Sequence, residues 1–226
     1  MNGFLVNNDL FEELGLQIPQ TFDELPAVCA AAAKAGHIAL SYTKGPPVIA
    51  KDQYQMMMNN FLGADQVAEK VLAGNEGFFD TDESVRALTM WYSDLDKAGC
   101  FGEGVNGLAW EETLGQFVSG PALMLPGGSW WVGSIDTRLP DTNVTFMPFP
   151  SIDGGVGRFY PGGVGSAWMI SAQTKQAATA AELLDFMFSE EAAPVWVTEA
   201  GFVLPVEFDT SSLKLTPLAA LAPELI

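Results

Sequence analysis

The residues best suited to chemistry stand in one short run, Gly127-Gly128-Ser129-Trp130-Trp131. It offers two indole faces, one hydroxyl and backbone N–H groups that the glycines leave accessible, with no nucleophile and no metal ligand. An indole face suits the C–H side of a sugar ring, while amides and hydroxyls suit the rim of OH groups. Consecutive helical side chains diverge by about 100°. One of Trp130 and Trp131 is therefore expected to meet a ligand, and the competing reading is that both are ordinary core residues.

Other candidates carry less. A glycosidase needs a facing carboxylate pair, for which Glu111, Glu112 and Asp136 are available. Adjacent glutamates on a helix point to different faces, and nothing in the sequence sets a partner opposite either. His37, the sole histidine, follows the helix-ending Gly36 and has no triad partner in view. Cys29 and Cys100 show no C-x-x-C or zinc spacing, so neither a metal nor any other cofactor is expected. Two buried thiols are the expectation, with a disulfide as the alternative in an oxidising compartment. Met56-Met57-Met58 reads as soft core filling.

The elements that must position the tryptophans can be read from periodicity. Ala122 to Leu125, between Pro121 and Pro126, reads as a buried strand, and a Gly turn leading to a helix start is where open α/β sheets hold ligands. A helix over about Leu108 to Val118 delivers the chain to it. Further strands are expected at Phe4 to Val6, His37 to Tyr42, Val144 to Met147 and Ala167 to Ile170, with Trp168 inside the last. Helices are expected from Leu10 to Leu14, from Leu25 to Gly36 behind a Thr21/Glu24 capping box, from Asp52 to Leu62, and from Lys175 to Phe188. Another starts at Asp80 with Val85, Leu88, Tyr92 and Leu95 as its buried face. A Gly162-Gly163 pair precedes the strand at Ala167, and a simple tight turn is its alternative reading.

Composition sets the outer limits. The chain has 226 residues, 48% of them hydrophobic, enough for a substantial core. Acidic residues outnumber basic ones 28 to 10, a formal charge of −18 that argues against nucleic acid and anionic membranes as partners. No signal peptide is visible, and no apolar run reaches the length of a membrane-spanning helix. The opening strand and the uncapped pattern from Leu218 to Ile226 read as cut ends.

The run Asn7-Asn8-Asp9-Leu10-Phe11-Glu12-Glu13-Leu14-Gly15-Leu16, followed by Pro19-Gln20-Thr21-Phe22-Asp23-Glu24-Leu25, resembles the opening of extracellular solute-binding proteins of the sugar ABC-transport type. Ala122-Leu123-Met124 before Gly128-Ser129-Trp130 is similar to that family's A-x-M-x-x-x-G-x-W motif. Pro148-Phe149-Pro150, Gly162-Gly163 before Ala167-Trp168-Met169-Ile170, and Ala180 to Phe188 with Ser189-Glu190-Glu191 continue the likeness in order. The resemblance implies an α/β fold, a type II periplasmic-binding-protein-like lobe whose mixed sheet is flanked by helices. It implies that residues 1–226 are mainly the second, C-terminal lobe, starting near the interlobe crossing strand, with the N-terminal lobe absent. It further implies a periplasmic or extracellular protein that binds a sugar and delivers it to an ABC-transporter membrane permease. Trp130 is the implied sugar contact, with Gly128, Ser129 and Trp131 beside it. The loop from Tyr42 to Pro47, including Lys44, and the Gly162-Gly163 turn are implied to border the ligand. The alternatives are another small solute (a polyamine, a peptide or a metal complex) and a carbohydrate-active enzyme.

Overall fold

The strand expected at Ala122 to Leu125 extends over Ala122–Gly128 (β3), and every residue in it is buried. In this computed structural model, which describes residues 2–45, 47–160, 167–200, 206–216 and 218–221, β3 lies in a four-stranded sheet. The other strands are β1 (Asn2–Asn7), β2 (Ile38–Leu40) and β4 (Val144–Met147). Their order is β2-β3-β1-β4, with β2 parallel to β3 and β1 antiparallel to β4. The sheet is thus mixed, as expected of this α/β class.

The chain divides into two units, the larger comprising Asn2–Gly127 and Asp141–Pro161. Its helices are α1 (Asn8–Glu13), α2 (Leu25–Lys34), α3 (Pro47–Leu62), α4 (Ala64–Leu72), α5 (Asp82–Thr89), α6 (Leu95–Lys97) and α7 (Trp110–Val118). Local chemistry accounts for their starts. Asn7 caps α1 by accepting from Leu10 N, and Thr21 precedes a short 3-10 turn whose Glu24 carboxylate accepts from Gln20 N and Thr21 N. Helix α5 is capped by Thr81, one residue after the expected Asp80, through Ser84 N to Thr81 Oγ1.

The core of this unit is aromatic. Trp91 is fully buried, and its ring meets Phe4 at 6.3 Å, Phe22 at 6.0 Å, Tyr42 at 5.2 Å, Phe101 at 6.0 Å and Phe149 at 5.8 Å between centroids. A π-helical turn over Met90–Asp94 joins α5 to α6. That wider turn carries Trp91 into the core and lets the next residue, Tyr92, bond Tyr42 Oη at 3.1 Å and Ala50 O at 3.2 Å. Met56, Met57 and Met58 are all buried, as expected of filler side chains.

Three expectations are corrected. Val85 and Leu88 are exposed, and the buried face of α5 is Ser84 and Ala87, continuing to Trp91 and Leu95. Small residues let α5 approach α3 closely, and the Ser84 and Tyr54 hydroxyls bond at 2.7 Å. Cys29 and Cys100 form a disulfide rather than two thiols, with Cα atoms 4.6 Å apart. Ala167 to Ile170 is not a strand: all four residues are exposed, Trp168 by 57%. An apolar run becomes a buried strand only where a neighbour pairs its backbone, and this one has no such neighbour among the described residues.

The smaller unit comprises, among the described residues, 128–140, 167–200, 206–216 and 218–221. Its helices are α8 (Val132–Arg138), α9 (Ala177–Met187) and α10 (Ala193–Ala200). Helix α8 packs on α10 and on a 3-10 turn at Ala219–Leu221. Ser189 leads into α10 by accepting from Ala192 N at 3.2 Å, and Trp196 Nε1 donates to Met187 O at 2.8 Å. Helix α9 has no fully buried residue, and Leu183 and Phe186 are more than half exposed. The expected inward face from Ala177 to Phe188 is therefore not covered among the described residues. Asp136 accepts from Thr216 Oγ1, whose oxygen also accepts from Ala219 N.

Three measurements follow from this packing. Trp91→Ala empties the centre of the aromatic cluster and is expected to cost about 3–5 kcal/mol in denaturant unfolding. Replacing Cys29 and Cys100 together by Ala opens a loop of 71-residue separation, with an expected loss of roughly 2–5 kcal/mol. Burial raises the Asp136 pKa above its ordinary carboxylate value, against the smaller lowering effect of the Thr216 hydroxyl. The folded state therefore holds the Asp136 proton to higher pH than the unfolded state, and this stability is lost as pH rises from the ordinary carboxylate value through the raised one. Asp136→Asn keeps an acceptor for Thr216, so its melting temperature relative to the parent should rise between pH 3 and pH 7, roughly the window that brackets carboxylate titration.

Candidate functional site

Sheet topology decides which loops meet. Because β2 and β3 are parallel, with Ile38 opposite Ala122 and Leu40 opposite Met124, their carboxyl ends lie on one edge of the sheet. Leu40 also forms a parallel bridge with Phe101 on the other side of β2, with Leu40 N donating to Cys100 O at 2.9 Å. Three parallel segments thus release three loops at the same edge: Ser41 to Gly45, Gly102 to Ala109, and the end of β3 at Gly127-Gly128. This edge is where α/β sheets place ligands. The first and third loops are legible in the sequence. The second carries no signal there beyond the Gly102, Gly104 and Gly107 spacing that marks a turn.

The first two loops are stitched together. Thr43 Oγ1 donates to Leu108 O at 2.7 Å and lies 3.3 Å from Val105 O, while it accepts from Gly45 N at 3.1 Å. Lys44 N donates to Val105 O at 2.8 Å. Just before them, Ser41 Oγ bonds Thr113 O at 2.7 Å and Gln116 Oε1 at 2.9 Å, tying the exit of β2 to α7.

Two of the residues expected at the ligand, Lys44 and Tyr42, have partners within the protein. Lys44 Nζ lies 2.8 Å from an Asp96 carboxylate oxygen and 5.0 Å from the Phe101 ring centroid, with its side chain only 12% exposed. Its charge is already used inside the protein, so it anchors the loop. Tyr42 is 2% exposed, between Trp91 and Phe101, with its hydroxyl on Tyr92. Burial raises its pKa strongly, reinforced by the neighbouring Tyr92, so the phenol stays neutral. A ring enclosed in this way has no free face for stacking.

Gly128 is buried, and Ser129, Trp130 and Trp131 follow in a single 3-10 turn, each half-buried. Neither tryptophan is fully buried. Gly162 and Gly163 lie outside the described residues. Of the acidic candidates, Glu112 caps α7 by accepting from Ala109 N at 2.6 Å, and Asp136 accepts from Thr216 Oγ1. His37 N closes α2 by donating to Ala32 O at 2.9 Å. No group of three or more His, Cys, Asp or Glu side chains able to hold a metal occurs among the described residues.

Comparison with known proteins agrees with this architecture. The chain is 25% identical to a multiple sugar-binding protein of Streptococcus mutans serotype c, over 98% of its own length and 54% of that protein. It superposes on a chitin oligosaccharide binding protein with a TM-score of 0.80 at 20% identity, covering 99% of this chain and 56% of the other. It also superposes on a Bacillus licheniformis sugar transporter protein in complex with stachyose, with a TM-score of 0.69 at 13% identity, covering 94% and 55%. The structural likenesses show the fold, and the chain spans a little over half the length of these relatives. The sequence profile of the bacterial extracellular solute-binding proteins matches residues 1–194, and the chain belongs to that family.

Proposed function

We propose that the protein is the substrate-binding component of an ABC importer, taking up a sugar or oligosaccharide outside the cytoplasmic membrane and passing it to a membrane permease. The observation that carries this reading is the edge of parallel strands, where glycine- and hydroxyl-bearing loops are pinned by hydrogen bonds and the last of them, Gly127-Gly128, runs in sequence directly into Trp130 and Trp131. Hydroxyl-rich ligands need many neutral donors and acceptors and an apolar platform, rather than a charged or nucleophilic centre. The relatives named for sugar binding support it, as does the Cys29–Cys100 disulfide, a bond that persists in oxidising compartments. A carbohydrate-active enzyme is disfavoured because Glu112 and Asp136 are already engaged in capping and packing.

The chain corresponds, on this reading, to the second lobe of a two-lobe protein, with a companion N-terminal lobe supplying the rest of the ligand contacts. Its length relative to its relatives supports that assignment. So do the exposed Trp168, Met169, Leu183 and Phe186 of the smaller unit, apolar surface of the kind that partners cover. Ligand binding then closes the two lobes, and the permease recognises the closed form.

Trp130 is assigned the role of aromatic platform. Its removal in Trp130→Ala uncovers part of a surface of roughly 150–250 Å², and covering half of it at about 25 cal/mol per Å² corresponds to about 2–3 kcal/mol, or roughly 30- to 150-fold in Kd. Calorimetric titration of the full-length protein with stachyose and with chitin oligosaccharides tests this. Unchanged affinity in Trp130→Ala would remove Trp130 from the site, and no heat of binding from any sugar in the unmodified protein would remove the function.

A further inference from the structure

The loop Gly102 to Ala109 has no assigned role, and its construction is unusual for a solvent-facing turn. Gly107 N closes a turn onto Gly104 O at 2.8 Å, and Gly104 has φ +76°, a conformation glycine adopts without strain. Inside the turn Val105 is 8% exposed and joins the core. Its carbonyl receives Lys44 N, and Leu108 O receives Thr43 Oγ1. On the outer side Gly45 packs against the turn so closely that a Cβ there would stand 3.2 Å from Asn106 O and 3.5 Å from Leu108 O. Backbone and neighbour thus hold the turn from both sides. What it presents outward is Asn106, which is exposed, with an amide that makes no hydrogen bond among the described residues.

We infer that Asn106 is a specificity-determining contact, its amide bonding hydroxyl groups of the bound sugar at the carboxyl edge of the parallel strands. This rests on the sugar-binding reading above. A primary amide carries two donors and one acceptor with two lone pairs, so it meets a vicinal diol whichever way the hydroxyl protons point. It needs no charge, consistent with the internal use of Lys44 by Asp96. A turn pinned by Val105, Thr43 and Gly45 holds the backbone of Asn106 in one place, so only side-chain freedom is lost when its amide binds. The parallel bridge of Leu40 to Phe101 puts this turn at the same sheet edge as the Gly127-Gly128 turn.

The experiment compares the unmodified full-length protein, Asn106→Ala, and Gln17→Ala as an exposed polar control, by calorimetric titration with stachyose and with chitin oligosaccharides. The expected result is an affinity about 5- to 30-fold lower for Asn106→Ala, the usual effect of deleting one or two hydrogen bonds at a binding site. The thermal midpoint should not move, since an exposed side chain without partners contributes little to stability. Gln17→Ala should bind as the parent does. In amide NMR spectra the Asn106 side-chain resonances should shift on adding the sugar that titrates. A parent that binds while Asn106→Ala binds equally well overturns this inference and leaves the sugar-binding function standing. A parent that binds no sugar at millimolar concentration overturns the function, and the role of Asn106 falls with it.

Discussion

The larger unit is organised around one buried indole. Trp91 touches the ring of a residue from β1, from the turn before α2, from the exit of β2, from the segment bridged to β2 and from the exit of β4. Edge-to-face and stacked rings hold fixed angles because the positive edge of one ring seeks the negative face of another. The cluster therefore fixes orientation as well as burial. Five segments distant in sequence are set relative to one another by a side chain that a single π-helical turn aims inward.

Tyr42 transmits that order to the candidate site. Its ring packs on Trp91 and Phe101 while its hydroxyl meets Tyr92, so the chain leaves β2 in a defined direction. Thr43, Lys44 and Gly45 are then already committed to carbonyls, to Asp96 and to close backbone contact. The disulfide reinforces the same region from behind by joining α2 to Cys100, the residue before Phe101. A similar economy appears at Asn60 of α3, whose side chain bonds both Pro150 O and Ile152 N and so fixes the turn that follows β4. Thr43 and Asn60 are buried polar side chains that position loops, since pairing spares each the cost of a buried donor or acceptor without a partner.

The family assignment adds meaning to this arrangement without replacing it. Binding proteins need rigid loops at a sheet edge, since a ligand that must also order its site loses affinity in doing so. Here rigidity comes from aromatic packing and backbone stitching, with the Lys44–Asp96 ion pair added at the first loop, in a chain that carries a formal charge of −18. That charge acts on the whole surface.

Much of the secondary structure was legible in the sequence because caps and periodicity act over three or four residues. The Thr21/Glu24 capping box, the helical periodicity from Leu25 and the apolar run at Ala122 each signalled an element that the structure contains. Helix α4 was missed, and the buried face of α5 was misjudged: Ser84 and Ala87 are buried because α3 lies against them, which no local pattern records. Ala167 to Ile170 read as a strand because its composition is apolar, yet a strand requires a paired neighbour supplied from elsewhere in the chain. Of the candidate site, the sequence determined residue types, including the glycines and the Trp130-Trp131 pair. Tertiary structure alone decided that Tyr42 and Lys44 face inward, that Cys29 reaches Cys100, and that Asn106 stands at the same sheet edge as the end of β3. The physical reason is that parallel pairing joins segments some 60 to 85 residues apart, Leu40 with Phe101 and Leu40 with Met124, at distances over which local propensity carries no information.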